Sequence, residues 1–113
     1  MKAILKSNRY ITENLHILTY VVEKKHTVNP GQFVHITAPD SSVLLRRPFS
    51  IIACDDREFS VLIKIIGSGT DSIAHMEEGD MTDVLYPLGN GYAESIDHEN
   101  TLFIAGGIGI AGI

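Results

Sequence analysis

Most of the first ninety residues are a succession of short apolar runs with a two-residue rhythm, each cut off by a turn signal before it could become a helix. "KAILKSNRYIT" and "LHILTYVVE" alternate imperfectly, are rich in Ile, Val, Tyr and Thr, and are separated by the polar "ENL" corner. "NPGQFVHITAP" is a bend at Pro30-Gly31 followed by a short strand in which Phe33, His35 and Thr37 share one face. "SIIAC" and "EFSVLIKII" are two further apolar runs on either side of the charged turn "DDRE". Strands this short and this closely spaced predict an all-β, antiparallel barrel or sandwich. With 113 residues there is room for one such domain and a modest core.

The rhythm changes after residue 66. In "GSGTDSIAHMEEGD", Thr70-Asp71 precede Ile73, Ala74 and Met76, which predicts a helix start at Thr70, with Gly79 ending the helix after about two turns. "MTDVLYPLG" predicts a returning strand closed by Pro87, and "NGYAESIDHEN" a polar linker. "TLFIAGGIGIAGI" is an almost continuous apolar strand that runs into a glycine-rich turn. Such a strand and turn normally open a βαβ unit, whose helix would begin near Ile110. The expected organisation is therefore one β-domain over residues 1–98 and, over 99–113, the truncated first strand of an α/β domain. An apolar strand without its sheet would be expected to self-associate.

Several function classes fit poorly. Nine Lys and Arg against 14 Asp and Glu give a net charge of −5, without the basic footprint of a nucleic-acid surface. No apolar run approaches bilayer length and no charged-then-apolar leader opens the chain, so no membrane association and a cytoplasmic setting are expected. The single cysteine, Cys54, excludes an internal disulfide and a four-cysteine cluster from this chain alone. At the end of a strand it reads as a buried small hydrophobe. The histidines at 16, 26, 35, 75 and 98 lack the paired spacing of a metal site, and His35 reads as a packed strand residue. Ser50 lacks the strand–turn–helix elbow of a hydrolytic nucleophile, so no catalytic residue is assigned.

Two stretches carry possible binding chemistry. In "LLRRPFSI", Pro48 holds Arg47 extended, because its ring disfavours the helical region for the preceding residue. A guanidinium fixed in direction suits two-pronged pairing with a phosphate. Phe49 adds a flat apolar surface and Ser50 a hydroxyl. Equally, this is the pattern of a surface arginine pair beside a strand-initiating proline. In "GSGT", at 67–70, glycines allow close backbone approach to a ligand, and Thr70 could cap the helix, donate to a phosphate, or both. If "FSVLIKI" neighbours "SII", both stretches can meet one diphosphate. "GGIGIAG" follows a strand as a dinucleotide-binding turn does, without the full G-x-G-x-x-G spacing or a Walker lysine.

Taken together, "RRPFSI", "LIKIIGSGTDSIAHMEEGD", "DVLYPLGNGY" and "TLFIAGGIGIAGI" resemble, in order and spacing, the ferredoxin–NADP reductase superfamily. Within it they are most similar to the electron transfer subunits of two-subunit dihydroorotate dehydrogenases. The resemblance spans nearly the whole chain and is most specific over 67–92. It implies a six-stranded Greek-key flavin-binding barrel with one short helix, FAD as cofactor, and a truncated NAD-binding domain. It further implies NADH and a [2Fe-2S] cluster in the intact parent protein only, and a dihydroorotate dehydrogenase catalytic subunit as partner. Carried over by position, Arg47, Pro48, Phe49 and Ser50 match the flavin motif R-P-x-S, with Arg47 at the diphosphate, Phe49 by the ring system and Ser50 near its reactive edge. Leu62, Ile63 and Lys64 match the cofactor-contacting strand, and Gly69 and Thr70 the glycine–threonine pair at the phosphates. Tyr86 stands where glycine is usual, and Lys64 where arginine is commoner. Rival expectations are a related subunit of a hydrogenase, sulfide dehydrogenase or transhydrogenase, and a β-barrel interaction module that binds no flavin.

Overall fold

The computed structural model describes all 113 residues. Six strands are formed: β1 (Lys2–Thr12), β2 (Leu15–Val22), β3 (Phe33–Ile36), β4 (Arg47–Asp55), β5 (Glu58–Lys64) and β6 (Met81–Leu88). They close into a barrel in the order β1-β2-β5-β4-β3-β6, with every neighbouring pair antiparallel. Three pairs are sequence neighbours and three are crossovers, the Greek-key pattern, and closure leaves no bare sheet edge. One helix, α1 (Ser68–Ala74), lies between β5 and β6.

The period of two in the sequence becomes the inside and outside of the barrel. From β2, His16, Leu18, Tyr20 and Val22 point inward; from β5, Phe59, Val61 and Ile63; from β3, Val34 and Ile36. Phe33 and His35 therefore lie on the outer face, half-exposed, rather than packed inside. Along the barrel interior Tyr20 stacks on Phe59 with ring centroids 5.4 Å apart, Phe59 stacks on Tyr86 at 4.3 Å, and His26 meets the edge of Tyr86 at 5.2 Å. Burial pushes the Tyr86 hydroxyl up to about 12 and raises that of Tyr20 as well.

One end of the barrel is plugged by α1, whose Ile73 and Ala74 are buried with Met76 just beyond it. The plug is tied down by Asn8, whose amide nitrogen donates to the carbonyls of both Ala74 and Met76 at 2.8 Å. Those are carbonyls that the end of a helix otherwise leaves unpaired. With both its hydrogens committed, Asn8 presents its oxygen to Nδ1 of the buried His16, 2.8 Å away, so the imidazole carries its proton there.

Three expectations need correction. The helix starts two residues earlier than predicted, with Gly67 as its cap, and ends at Ala74 rather than Gly79. Gly79, at φ +89°, instead turns the chain into β6 and donates its amide to the Leu5 carbonyl at 2.8 Å. Cys54 is exposed, not buried, because β4 runs past the end of the packed interior. Residues 101–106 form no strand, and Leu102 and Ile104 are 81% and 85% exposed. A parallel strand is made by its neighbours, and this segment has none to pair with. Beyond it the chain forms a 3-10 helix, η1 (Gly107–Gly112).

Phe59 stands between two rings at the centre of the interior, so Phe59→Ala is expected to cost roughly 3–5 kcal/mol, read from urea unfolding midpoints.

Candidate functional site

The two adjacent arginines are used differently. Arg46 points to the barrel's outside, where its guanidinium pairs with the Asp83 carboxylate of β6. Asp83 also accepts from the N-terminal amine at 2.9 Å. These two cations, the N-terminal one first, hold the Asp83 carboxyl below the usual carboxylate range. Arg47 opens β4 opposite Ile36, which turns its stem toward the barrel rim, half-buried. It takes part in no salt bridge.

What Arg47 meets instead is α1. A Cβ placed on Gly69 would lie 2.9 Å from Arg47 Nε and 3.4 Å from Cγ1 of Val43, so the guanidinium stem occupies the space a side chain at 69 would need. The two stretches separated by about twenty residues in sequence are thus in contact, because α1 directly follows β5 and β5 pairs with β4. Glycine permits this close approach, and a side chain at 69 would push the arginine stem aside. Val43, which sequence reasoning passed over, completes the contact. The only signal for it was an apolar branched residue ahead of the arginine pair.

Thr70 has a narrower role than its two sequence readings allowed. Its hydroxyl accepts from the amides of Ile66 (2.9 Å) and Gly67 (3.2 Å) and donates to the Gly67 carbonyl (3.2 Å), which uses its whole capacity. It has no proton free for a ligand, and it serves the helix start in the manner of a capping box, reaching back to the amide of the cap residue Gly67. As the third helical residue it bonds backward and holds the 66–67 turn in shape. The amides of Ser68, Gly69 and Thr70 have no partner in the chain, as expected of a helix start.

The other candidate residues divide by strand face. Pro48 and Ser50 lie opposite His35 and Phe33 on the outer face, and Leu62 and Lys64 lie opposite Ile17 and Leu15 on the same side. They form a strip that mixes an apolar side chain, a hydroxyl with no hydrogen bond and an ammonium. Phe49, opposite Val34, turns inward and packs against the core, so it is not an exposed platform on the strip. Ile63 is fully buried and can serve an outer ligand only through its backbone. Tyr86, the position where glycine is usual, is buried in the interior stack and leaves both the rim and the strip clear.

The chain's own C-terminal residues lie on this strip. A Cβ on Gly112 would sit 3.5 Å from Ser50 Oγ. Gly107, Ile108 and Ile110 border a shallow cavity with Leu15, Leu62 and Lys64.

Because Thr70 carries three hydrogen bonds of the 66–70 turn, Thr70→Val is expected to cost roughly 1–3 kcal/mol by leaving two amides unpaired. Denaturant melts measure that cost, and a fully retained midpoint would contradict the shaping role.

No family profile matches the chain. Over 111 residues it is 34% identical to the dihydroorotate dehydrogenase B (NAD(+)), electron transfer subunit of Caldanaerobacter subterraneus subsp. tengcongensis, covering 98% of this chain and 44% of that protein. Over 109 residues it is 39% identical to the same subunit of Lysinibacillus sphaericus, covering 92% and 42%. The chain therefore spans a little under half the length of these relatives. Among solved structures it is similar to a flavohemoglobin from Malassezia yamatoensis with bound FAD and heme, at TM-score 0.73 and 21% identity over 86% of this chain and 27% of that one. It is likewise similar to phthalate dioxygenase reductase, at TM-score 0.70 and 16% identity over 80% and 30%. At those identities the structures establish a shared barrel fold and nothing more. Over nearly all of its length the chain is thus similar in sequence to dihydroorotate dehydrogenase B electron transfer subunits, and its barrel agrees with that likeness.

Proposed function

We propose that this barrel binds FAD and is the flavin-carrying part of an electron transfer subunit. In the whole protein, electrons would pass from NADH through FAD and a [2Fe-2S] cluster to a dihydroorotate dehydrogenase catalytic subunit. The observation that carries the reading is the contact between Arg47 and Gly69. A guanidinium with no carboxylate partner, held against a glycine backbone beside three unpaired amides, is a fitting environment for a diphosphate. The outer strip suits the ring end of the same molecule: Leu62 offers apolar contact, Ser50 a free hydroxyl and Lys64 a positive charge. Phe49 serves indirectly, by anchoring β4 so that Arg47 and Ser50 keep their spacing.

Bound FAD supplies the conversion between two-electron and one-electron transfer. The chain's residues supply position and electrostatics. Arg47 and the 68–70 amides would hold the diphosphate, Pro48 keeps Arg47 extended, and Ser50 and Lys64 would hydrogen-bond and polarise the ring edge. Thr70 contributes by holding the turn that presents those amides. Residues 99–113 are, on this reading, the opening of an NAD-binding domain whose sheet would pair residues 101–105. No helix is long and apolar enough to cross a membrane.

Arg47→Ala tests the reading. It is expected to weaken FAD binding by an amount on the order of 2–4 kcal/mol, as the loss of a charged hydrogen-bond partner to a phosphate. Flavin fluorescence titration measures the affinity, and far-ultraviolet circular dichroism checks that the barrel is retained. A folded variant with unchanged FAD affinity would return the arginine pair to a surface feature. The exposed Leu102 and Ile104 also favour self-association. Light scattering is expected to show mass rising with concentration, and a monomer throughout would rule it out.

A further inference from the structure

Arg47 is aimed by packing alone. Of the arginine pair only Arg46 is held by a carboxylate, and the Arg47 guanidinium makes no salt bridge. Its stem rests against α1: a Cβ on Gly69 would lie 2.9 Å from Arg47 Nε and 3.6 Å from its Cγ. An arginine side chain left to itself samples many rotamers, so the direction of this one depends on where Gly69 stands. Gly69, in turn, stands where α1 puts it.

Apolar burial does not settle the position of α1. Ile73 and Ala74 are buried in the end of the barrel, but that attraction is non-directional and does not fix a short helix along its axis. The backbone hydrogen bonds of the helix stay within its own segment, among them Asp71 N–H to the Gly67 carbonyl at 2.9 Å and His75 N–H to the Asp71 carbonyl at 3.2 Å. The polar ties from the strands come from Tyr20 and Asn8. The Tyr20 hydroxyl donates to Met76 Sδ at 3.3 Å, which holds a flexible side chain beyond the helix. Asn8 alone reaches the helix backbone, donating to the carbonyls of Ala74 and Met76 at 2.8 Å each.

A primary amide suits this task because it carries two donors and an acceptor on one planar group. The His16 Nδ1 proton on Asn8 Oδ1, across 2.8 Å, keeps the amide from turning over, which would set its oxygen against two carbonyl oxygens. His16 is itself fixed, buried on β2 with the Tyr10 ring edge-on at 5.5 Å. Gly69 lies in the same helix as Ala74, roughly 7.5 Å back along the axis at the helical rise. A displacement at one end is therefore carried to the other.

We propose that Asn8 is a positioning residue for the candidate diphosphate site: oriented by His16, it fixes α1 along its axis, and so fixes Gly69 and the direction of Arg47. The inference rests on the flavin reading for its ligand and extends that site to β1 and β2, which do not touch it. Without the tie, Arg47 must be ordered by the ligand, and affinity falls by the cost of ordering it.

The test compares Asn8→Ala and His16→Phe, each alone and combined with Arg47→Ala, all checked for folding by circular dichroism. Asn8→Ala is expected to weaken FAD binding roughly three- to thirtyfold, yet to change it less than about twofold in a chain already carrying Arg47→Ala, since both act through one group. His16→Phe keeps a ring and loses the donor, so a smaller loss with the same non-additivity is expected. A second readout needs no flavin: in the unliganded protein, the heteronuclear Overhauser effect at Arg47 Nε is expected to drop in Asn8→Ala as the side chain gains freedom. An equal loss of affinity with and without Arg47, or an unchanged Arg47 Nε signal, makes Asn8 a general stabiliser and overturns the inference while the flavin reading stands. If Asn8→Ala does not fold, His16→Phe is judged by the same two outcomes. If the unaltered chain binds no FAD, or Arg47→Ala leaves its affinity unchanged, the flavin reading fails first and the inference with it.

Discussion

Closure of the sheet through β6 is the constraint on which the rest depends. β6 pairs with β1 along one side and β3 along the other, and only then do six short strands share one interior. Short strands with one apolar face are unstable alone, since each buries too little. In a closed barrel, the alternating residues of all six meet, and the stack of Tyr20, Phe59 and Tyr86 fills the space between them. Closure also fixes neighbours. With β4 held between β3 and β5, the first residue of β4 and the helix that follows β5 come to the same end of the barrel. The contact between Arg47 and Gly69 is a consequence of topology.

The same strand selects which arginine is available. Asp83 belongs to β6 and engages Arg46 and the N-terminal amine together. This exposed cluster contributes little to stability by itself. Its effect is allocation: the nearby carboxylate is committed to Arg46, and Arg47 is left without an acidic partner. Adjacent residues of an extended chain point to opposite sides, so an arginine pair at a strand start supplies one cation outward and one toward the rim. The doubled arginine in the sequence thus contains one structural and one candidate binding residue.

Much of this was legible in the sequence where a local rule and the fold agreed. The imperfect alternation over residues 2–22 and the apolar run at 58–64 read as strands, and the structure forms β1, β2 and β5 there. The proximity of 47 and 69 was reachable through the guess that "SII" neighbours "FSVLIKI". Errors arose where local signals had two meanings. Thr70-Asp71 reads as a cap, yet the helix begins at Ser68, because a threonine at the third helical position can bond back to the preceding turn as well as a cap bonds forward. Phe49 reads as a flat apolar surface between Arg47 and Ser50. Its register opposite Val34, which turns it inward, is set by strand pairing that a single segment does not encode.

The segment at 101–113 separates propensity from structure most sharply. "TLFIA" carries as strong a strand signal as any in the chain, yet it is unpaired. The β-propensity of a residue measures how well it packs on a pleated, half-buried surface, and a closed barrel has no edge to offer. The hydrophobic demand is then met in part by the glycine-rich residues that follow, which settle on the one outer strip combining an apolar side chain with an unsatisfied hydroxyl. A strip able to hold a flexible apolar segment, without any backbone hydrogen bond to it, is by the same physics suited to a flat apolar ligand.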